Sequence, residues 1–233
     1  TRPDVLPLSI GDGELAETAS CVVPLPEIFS YCLQAGRVDV GFLGAAQIDR
    51  HGNLNSTVIG PYATPSTRLP GAGGAPEIAA HARQTFVMLK ATPRSFVPRV
   101  DFRTSAGFLD GHGSRAHSGA RGGGPRAVIT DFGILTPEAG SEELELSSLF
   151  EGATTDSARA AVGWPLIMAP TVRTLAPPST TEHATLRALT ARTNPSPCPL
   201  CPLWFIPFFI LPASLFTCTT PPPSSRPRRG GLR

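Results

Sequence analysis

This 233-residue chain is predicted to form an α/β fold, an open sheet with flanking helices. A short segment at 26–33 carries an apolar stripe, stops at Gly36 and runs straight into an apolar strand at 38–43, the order of an αβ unit. Further apolar runs of strand length recur at 86–89, 97–102, 127–135 and 143–149. Loops rich in glycine and side-chain amides follow the first strand, where open α/β sheets tend to hold ligands.

Taken in order, the 26–33 segment places Ile28, Phe29, Cys32 and Leu33 on one helical face. The strand at 38–43 is almost continuously apolar and is expected to be covered on both faces of its sheet. Glycines crowd the stretch 107–125, which reads as a solvated, mobile surface loop carrying His112, Arg115, His117 and Arg121. Two histidines on a glycine-rich loop make by themselves a poor metal site. The runs 127–135 and 143–149 are then expected to pair antiparallel across a turn at 137–141. Thr154 to Ser157 supplies an N-cap and early negative charge for a helix that stops at Gly163. A final strand at 164–169 and a polar helix at 181–192 follow.

Composition narrows the function classes. The length suits one domain with an appendage. A net charge of +2, with 16% charged residues and scattered arginines, gives no basic face for nucleic acid. The five cysteines form no framework and nothing at the start reads as a signal peptide, so a reducing, cytoplasmic setting is the expectation. Cys198 and Cys201 match a CxxC pair, but no second pair or histidine stands at ligand spacing, and no metal is expected. Beyond Asn194 prolines dominate and acidic residues vanish. The apolar run at 200–216 is short and broken by Pro202, Pro207 and Pro212, so no membrane span is expected.

Candidate chemistry lies in two loops. Gln47, Asn53 and Asn55 offer amides that grip a carboxylate or thioester carbonyl without charge; equally, Gly52-Asn53 suits a tight turn with Asn55 as its cap. Asp49, Arg50 and His51 are polar neighbours whose roles stay open. Gly71, Gly73, Gly74 and Ala75 form a glycine cluster whose bare backbone lets N–H groups approach an oxyanion, or else a flexible turn after Pro70.

The order of these segments, 38–43, then Gln47 to Asp49, Gly52 to Asn55 and Gly71 to Glu77, resembles the β-subunit half of family I CoA-transferases, especially the glutaconate and 3-oxoadipate branch. The likeness covers about residues 2–192 and includes the segment 101–105, for which an edge-strand ion pair is an equal explanation. It implies the NagB/RpiA/CoA-transferase-like fold and a domain at 1–193 that lacks its N-terminal part, consistent with a start at Thr1. The segment 194–233 is then expected to be a disordered or adventitious tail.

In such enzymes a glutamate attacks an acyl-CoA, forms an acyl-glutamyl anhydride and becomes a glutamyl-CoA thioester. That glutamate stands in a Glu-x-Gly motif near the start of the β half, and no such motif occurs before the strand at 38–43. Glu14, Glu17, Glu27 and Glu77 do not fit it, so no catalytic nucleophile is assigned and the residue is expected upstream. By the same resemblance, Gly73 and Gly74 are oxyanion-hole candidates, while Gln47, Asn53, Asn55, Gly71, Gly73, Gly74 and Ala75 are candidates for binding CoA or the acyl group. The implied substrates are a coenzyme A thioester and a short-chain, 3-oxo or dicarboxylic acid, with no permanently bound cofactor. The implied partner is a homologous α subunit, without which the chain is expected to be inactive. A CoA-ester hydrolase lacking the glutamate and a non-catalytic binding remnant are the alternatives.

Overall fold

The computed structural model describes residues 13–192. Short helices α1 (Glu14–Glu17) and α2 (Leu25–Glu27) lead into a π-helix at Ile28–Leu33, which buries Leu33 and ends before Gly36, whose φ of +72° suits glycine. β1 (Val40–Leu43) follows, then two small hairpins, β2 (Gln47–Ile48) with β3 (Leu54–Asn55) and β4 (Val58–Ile59) with β5 (Thr67–Arg68). Helix α3 (Ala75–His81) returns the chain to β6 (Gln84–Met88), which lies parallel to β1 with Phe42 opposite Phe86. After α4 (Ser114–His117) come β7 (Pro125–Ile129), β8 (Gly133–Pro137), β9 (Leu144–Leu149), α5 (Thr155–Ala161), β10 (Ile167–Thr174) and α6 (Thr180–Arg192).

The main sheet has the order β1-β6-β7-β8-β9-β10, with parallel pairs at β1/β6, β6/β7 and β9/β10 and antiparallel pairs at β7/β8 and β8/β9. One face holds the core: Val87, Val128, Leu135, Leu144 and Leu146 are fully buried, with Ala79 of α3 and Ala158 of α5 packed in. Phe96 and Trp164 stack at 5.9 Å at its end. Thr154 caps α5 as expected: its side chain accepts from Ser157 N at 3.1 Å, and the Ser157 hydroxyl accepts from Thr154 N at 3.0 Å. Replacing Thr154 by alanine should cost about 1 kcal/mol and lower the midpoint of thermal unfolding by about 2–4 °C, read by circular dichroism.

Several expectations need correction. β1 is an edge strand, not one covered on both faces; Phe42 is 67% exposed and stacks on Phe86 at 5.9 Å, on the face away from the core. No strand forms at 97–102. Pro98 removes a ladder donor, and the segment instead meets β2 through a single parallel bridge from Phe96 to Ile48. The run 127–135 is two strands, because Thr130 Oγ1 accepts from Phe132 N and Gly133 N and donates to Gly133 O at 2.7 Å, turning the chain back on itself. The last strand begins at Ile167 rather than at 164, since Trp164 is drawn into the core.

The glycine-rich stretch is also anchored rather than merely solvated. Arg115 is only 4% exposed, and its guanidinium donates to the carbonyls of Gly122, Gly107, Ala106, Ala79 and Ala80. His112 and His117 do lie on the surface. The CxxC pair and the proline-rich tail lie outside the described residues. Among the described residues no helix is long and apolar enough to cross a membrane, and no group of three or more His, Cys, Asp or Glu could hold a metal ion.

Candidate functional site

The two small hairpins carry the candidate residues. In the first, Gly52 takes a φ of +71° and donates its N–H to Asp49 O at 2.9 Å, closing a tight loop between β2 and β3. The buried Asp49 carboxylate organises that loop: Oδ1 accepts from His51 N, Asn53 N and Asn53 Nδ2, each at 3.0 Å. Burial raises the Asp49 carboxyl above its ordinary 3.8, and these hydrogen bonds offset only part of the shift. The folded chain therefore binds a proton more readily here than the unfolded one. The stability contribution is full below 3.8 and is lost as pH rises through the higher folded value. Asp49→Asn should flatten this segment of the pH–stability curve, measured by urea unfolding at a series of pH values; an unchanged slope would contradict the assignment.

Asn53, 1% exposed, works as a scaffold. Its Oδ1 accepts from Gly107 N at 2.9 Å and Leu109 N at 3.1 Å, and its Nδ2 donates to Leu109 O at 2.7 Å. These bonds hold Leu109 at a φ of +61°, an uncommon value for a branched residue. Gly107 is required by its close approach, since a Cβ there would collide with the Gly52 carbonyl group.

Gln47 and Asn55 face each other across the β2/β3 ladder, and Asn55 Nδ2 donates to Gln47 Oε1 at 2.7 Å. Gln47 Nε2 donates to Asp101 Oδ2 at 3.1 Å, and the same oxygen accepts from Gly60 N at 2.9 Å. Asn55 Oδ1 accepts from Thr57 N and Val58 N while Nδ2 also reaches Val58 O. All three predicted amides are buried in hydrogen-bonded networks. The edge-strand ion pair suggested for 101–105 is not formed: Asp101 bonds Gln47, and Arg103 pairs with Asp110 at 3.0 Å.

Asn55 is joined to the glycine cluster through its neighbour. Ser56 O accepts from Gly71 N at 2.8 Å, and Ser56 Oγ donates to Gly71 O at 2.8 Å. Ala75 N is spent on Ala72 O at 3.1 Å. Gly73 N and Gly74 N have no hydrogen-bond partner among the described residues. Gly73 adopts a φ of +50°, and a Cβ on Gly74 would come 2.9 Å from the Phe29 ring, so each glycine has its own physical reason. The pair immediately precedes α3, where the helix dipole favours negative charge. The acidic group in the first turn of that helix, Glu77, accepts from Gln34 Nε2 at 3.1 Å and lies 3.3 Å from His81 Nε2.

A cavity of about 360 Å³ lies elsewhere, at the amino ends of β6 and β7 beside Arg83, Pro125 and Arg126. A smaller cleft of about 140 Å³ opens beside the Asp49–Asn53 loop, lined by Arg50, Arg99 and Arg103. Sequence reasoning missed Ser56, Arg99 and Arg115. Ser56 carried no signal beyond its place between two candidate loops.

The family model described as Coenzyme A transferase matches residues 2–161. The chain belongs to the coenzyme A transferase family. Within that family it is 54% identical over 192 residues to the B subunit of 3-oxoadipate CoA-transferase from Pseudomonas knackmussii, covering 82% of this chain and 74% of that protein. It is 35% identical over 181 residues to the B subunit of glutaconate CoA-transferase from Acidaminococcus fermentans, covering 75% of this chain and 67% of the relative. The crystal structure of glutaconate coenzyme A-transferase from A. fermentans superimposes with a TM-score of 0.72 at 31% identity, covering 80% of this chain and 73% of that chain. As a coenzyme A transferase family member, the chain has the mixed α/β sheet with flanking helices expected of it.

Proposed function

We propose that this chain is the β subunit of a CoA-transferase that moves CoA between an acyl-CoA and a short-chain, 3-oxo or dicarboxylic acid, working with a homologous α subunit. The observation that carries the reading is the pair of unpartnered N–H groups at Gly73 and Gly74, fixed through Gly71 and Ser56 to the Gln47–Asn55 network. The relatives named for 3-oxoadipate and glutaconate support the acid class.

In this reading a glutamate carboxylate, not among the described residues, attacks the thioester carbonyl. The oxyanion that develops is held by Gly73 N–H and Gly74 N–H, donors worth about 3 kcal/mol each where such sites have been dissected. Collapse expels CoA thiolate and leaves an acyl-glutamyl anhydride. The thiolate then attacks the glutamyl carbonyl, releasing the first acid as a carboxylate and leaving glutamyl-CoA. A second carboxylate reverses the sequence, so acid and CoA balance at every step. Gln47 and Asn55 act by holding the loop; their amides are already engaged with protein.

The test is mass spectrometry of the assembled two-subunit enzyme after exposure to acyl-CoA alone. Covalent CoA on a glutamate supports transfer. Steady hydrolysis without such an adduct would replace transfer by hydrolysis, and neither product would leave only a binding role.

A further inference from the structure

The cleft beside the Asp49–Asn53 loop is not used by the acyl chemistry above. Its volume is about 140 Å³. Three guanidiniums line it. Arg103 is tied to Asp110 at 3.0 Å, and Arg50 leans on Glu143 at 3.5 Å. Arg99 is exposed and has no carboxylate partner among the described residues. Two carboxylates also line the cleft: Asp110, which pairs with Arg103, and Asp49, which accepts from the N–H groups of His51 and Asn53, so the cation left to meet a ligand is Arg99.

The wall is held in place. Leu109 lines the cleft in a left-handed conformation that Asn53 fixes from both its N–H and its carbonyl. Such a locally costly backbone persists where its surroundings over-determine it, and it aims Asp110 at Arg103. The cleft also borders the acyl-side network: Asp101, between Arg99 and Arg103 in sequence, is the residue that accepts from Gln47 and Gly60.

We propose that the Arg50–Arg99–Arg103 cleft binds the phosphate groups of the coenzyme A nucleotide, at the far end of the Gln47–Asn55 network from Gly73 and Gly74. Planar guanidiniums suit phosphoryl oxygens, which accept two parallel N–H bonds from each. The proposal rests on the CoA-transferase reading and adds the position of the ligand's charged end.

The test is calorimetric titration of the assembled enzyme with CoA, dephosphorylated CoA, pantetheine and inorganic diphosphate. Arg99→Ala should weaken CoA and diphosphate about tenfold, the loss of one charge-assisted hydrogen bond, and leave pantetheine unchanged. Arg126→Ala, which removes the same charge beside the other cavity, should change neither, and diphosphate should compete with CoA. Equal losses in Arg99→Ala and Arg126→Ala would overturn the proposal, as would diphosphate binding without competition, which would mark a site for a free phosphorylated ligand. If CoA binds through pantetheine alone, the cleft assignment fails while the transferase reading stands. Absence of both CoA binding and the covalent adduct would remove the reading itself.

Discussion

Replacing Arg115 by alanine is expected to destabilise the fold by about 3–5 kcal/mol. The guanidinium is buried among carbonyls, donating through Nε to Gly122 O at 2.9 Å, through Nη1 to Gly107 O at 2.8 Å and through Nη2 to Ala79 O at 2.6 Å. Two of its acceptors, Ala79 and Ala80, belong to the last turn of α3, where a cation is favoured by the helix dipole. Removing it strands several buried carbonyls at once and opens a cavity. Gly122 and Gly123 lose support although their own N–H bonds to Ala80 O and Arg83 O remain. Arg115→Lys should recover little, because one ammonium cannot span acceptors on two sides. The midpoint of thermal unfolding should fall by about 6–20 °C at the usual 2–4 °C per kcal/mol for a chain of this size. A change below a few degrees would show that water replaces these bonds cheaply.

The second large effect is expected at Asn53. Asn53→Ala deletes the Nδ2 donor to both oxygens of the buried Asp49 carboxylate and the acceptor for Gly107 N and Leu109 N. A buried carboxylate left with only the backbone N–H donors of positions 51 and 53, together with two orphaned N–H groups, costs about 3–5 kcal/mol. Because Asp49 and Asn53 act as one unit, Asp49→Ala in the Asn53→Ala background should add far less than it does alone, and a double-mutant cycle by urea unfolding reads the coupling. Additive losses would mean that the two side chains are independent. An Asn53→Ala chain that keeps full stability would return this residue to the ligand.

The topology was legible because local signals agreed with it. Gly36 after the apolar stripe, the capping sequence from Thr154 to Ser157 and the turn-rich link into β9 each appear in the structure. The errors arose where tertiary contacts overrode pattern. An apolar strand looks buried on both faces, yet Phe42 lies on an open face; nothing in its own neighbours distinguishes the two. Thr130 reversed a run that composition presents as continuous, using a side-chain hydrogen bond rather than glycine or proline at the turn's start. Among candidate residues, spacing singled out Gln47, Asn53, Asn55 and the glycine cluster, and the structure brings Gln47, Asn55 and Gly71 into one bonded chain. Sequence left open whether the amides face ligand or scaffold, since an amide satisfied by protein has the same spacing as one that waits for a carbonyl. Arg115 was masked by its glycine-rich surroundings, which resemble solvent-exposed loop.

Isotope exchange is the most direct test of the central claim. The assembled two-subunit enzyme is incubated with acyl-CoA and the labelled free acid, and label in the thioester pool is followed. Transfer through an enzyme-bound thioester predicts label entering acyl-CoA while total thioester stays constant. Label remaining wholly in the free acid, with acyl-CoA either unchanged or lost to hydrolysis, would contradict it.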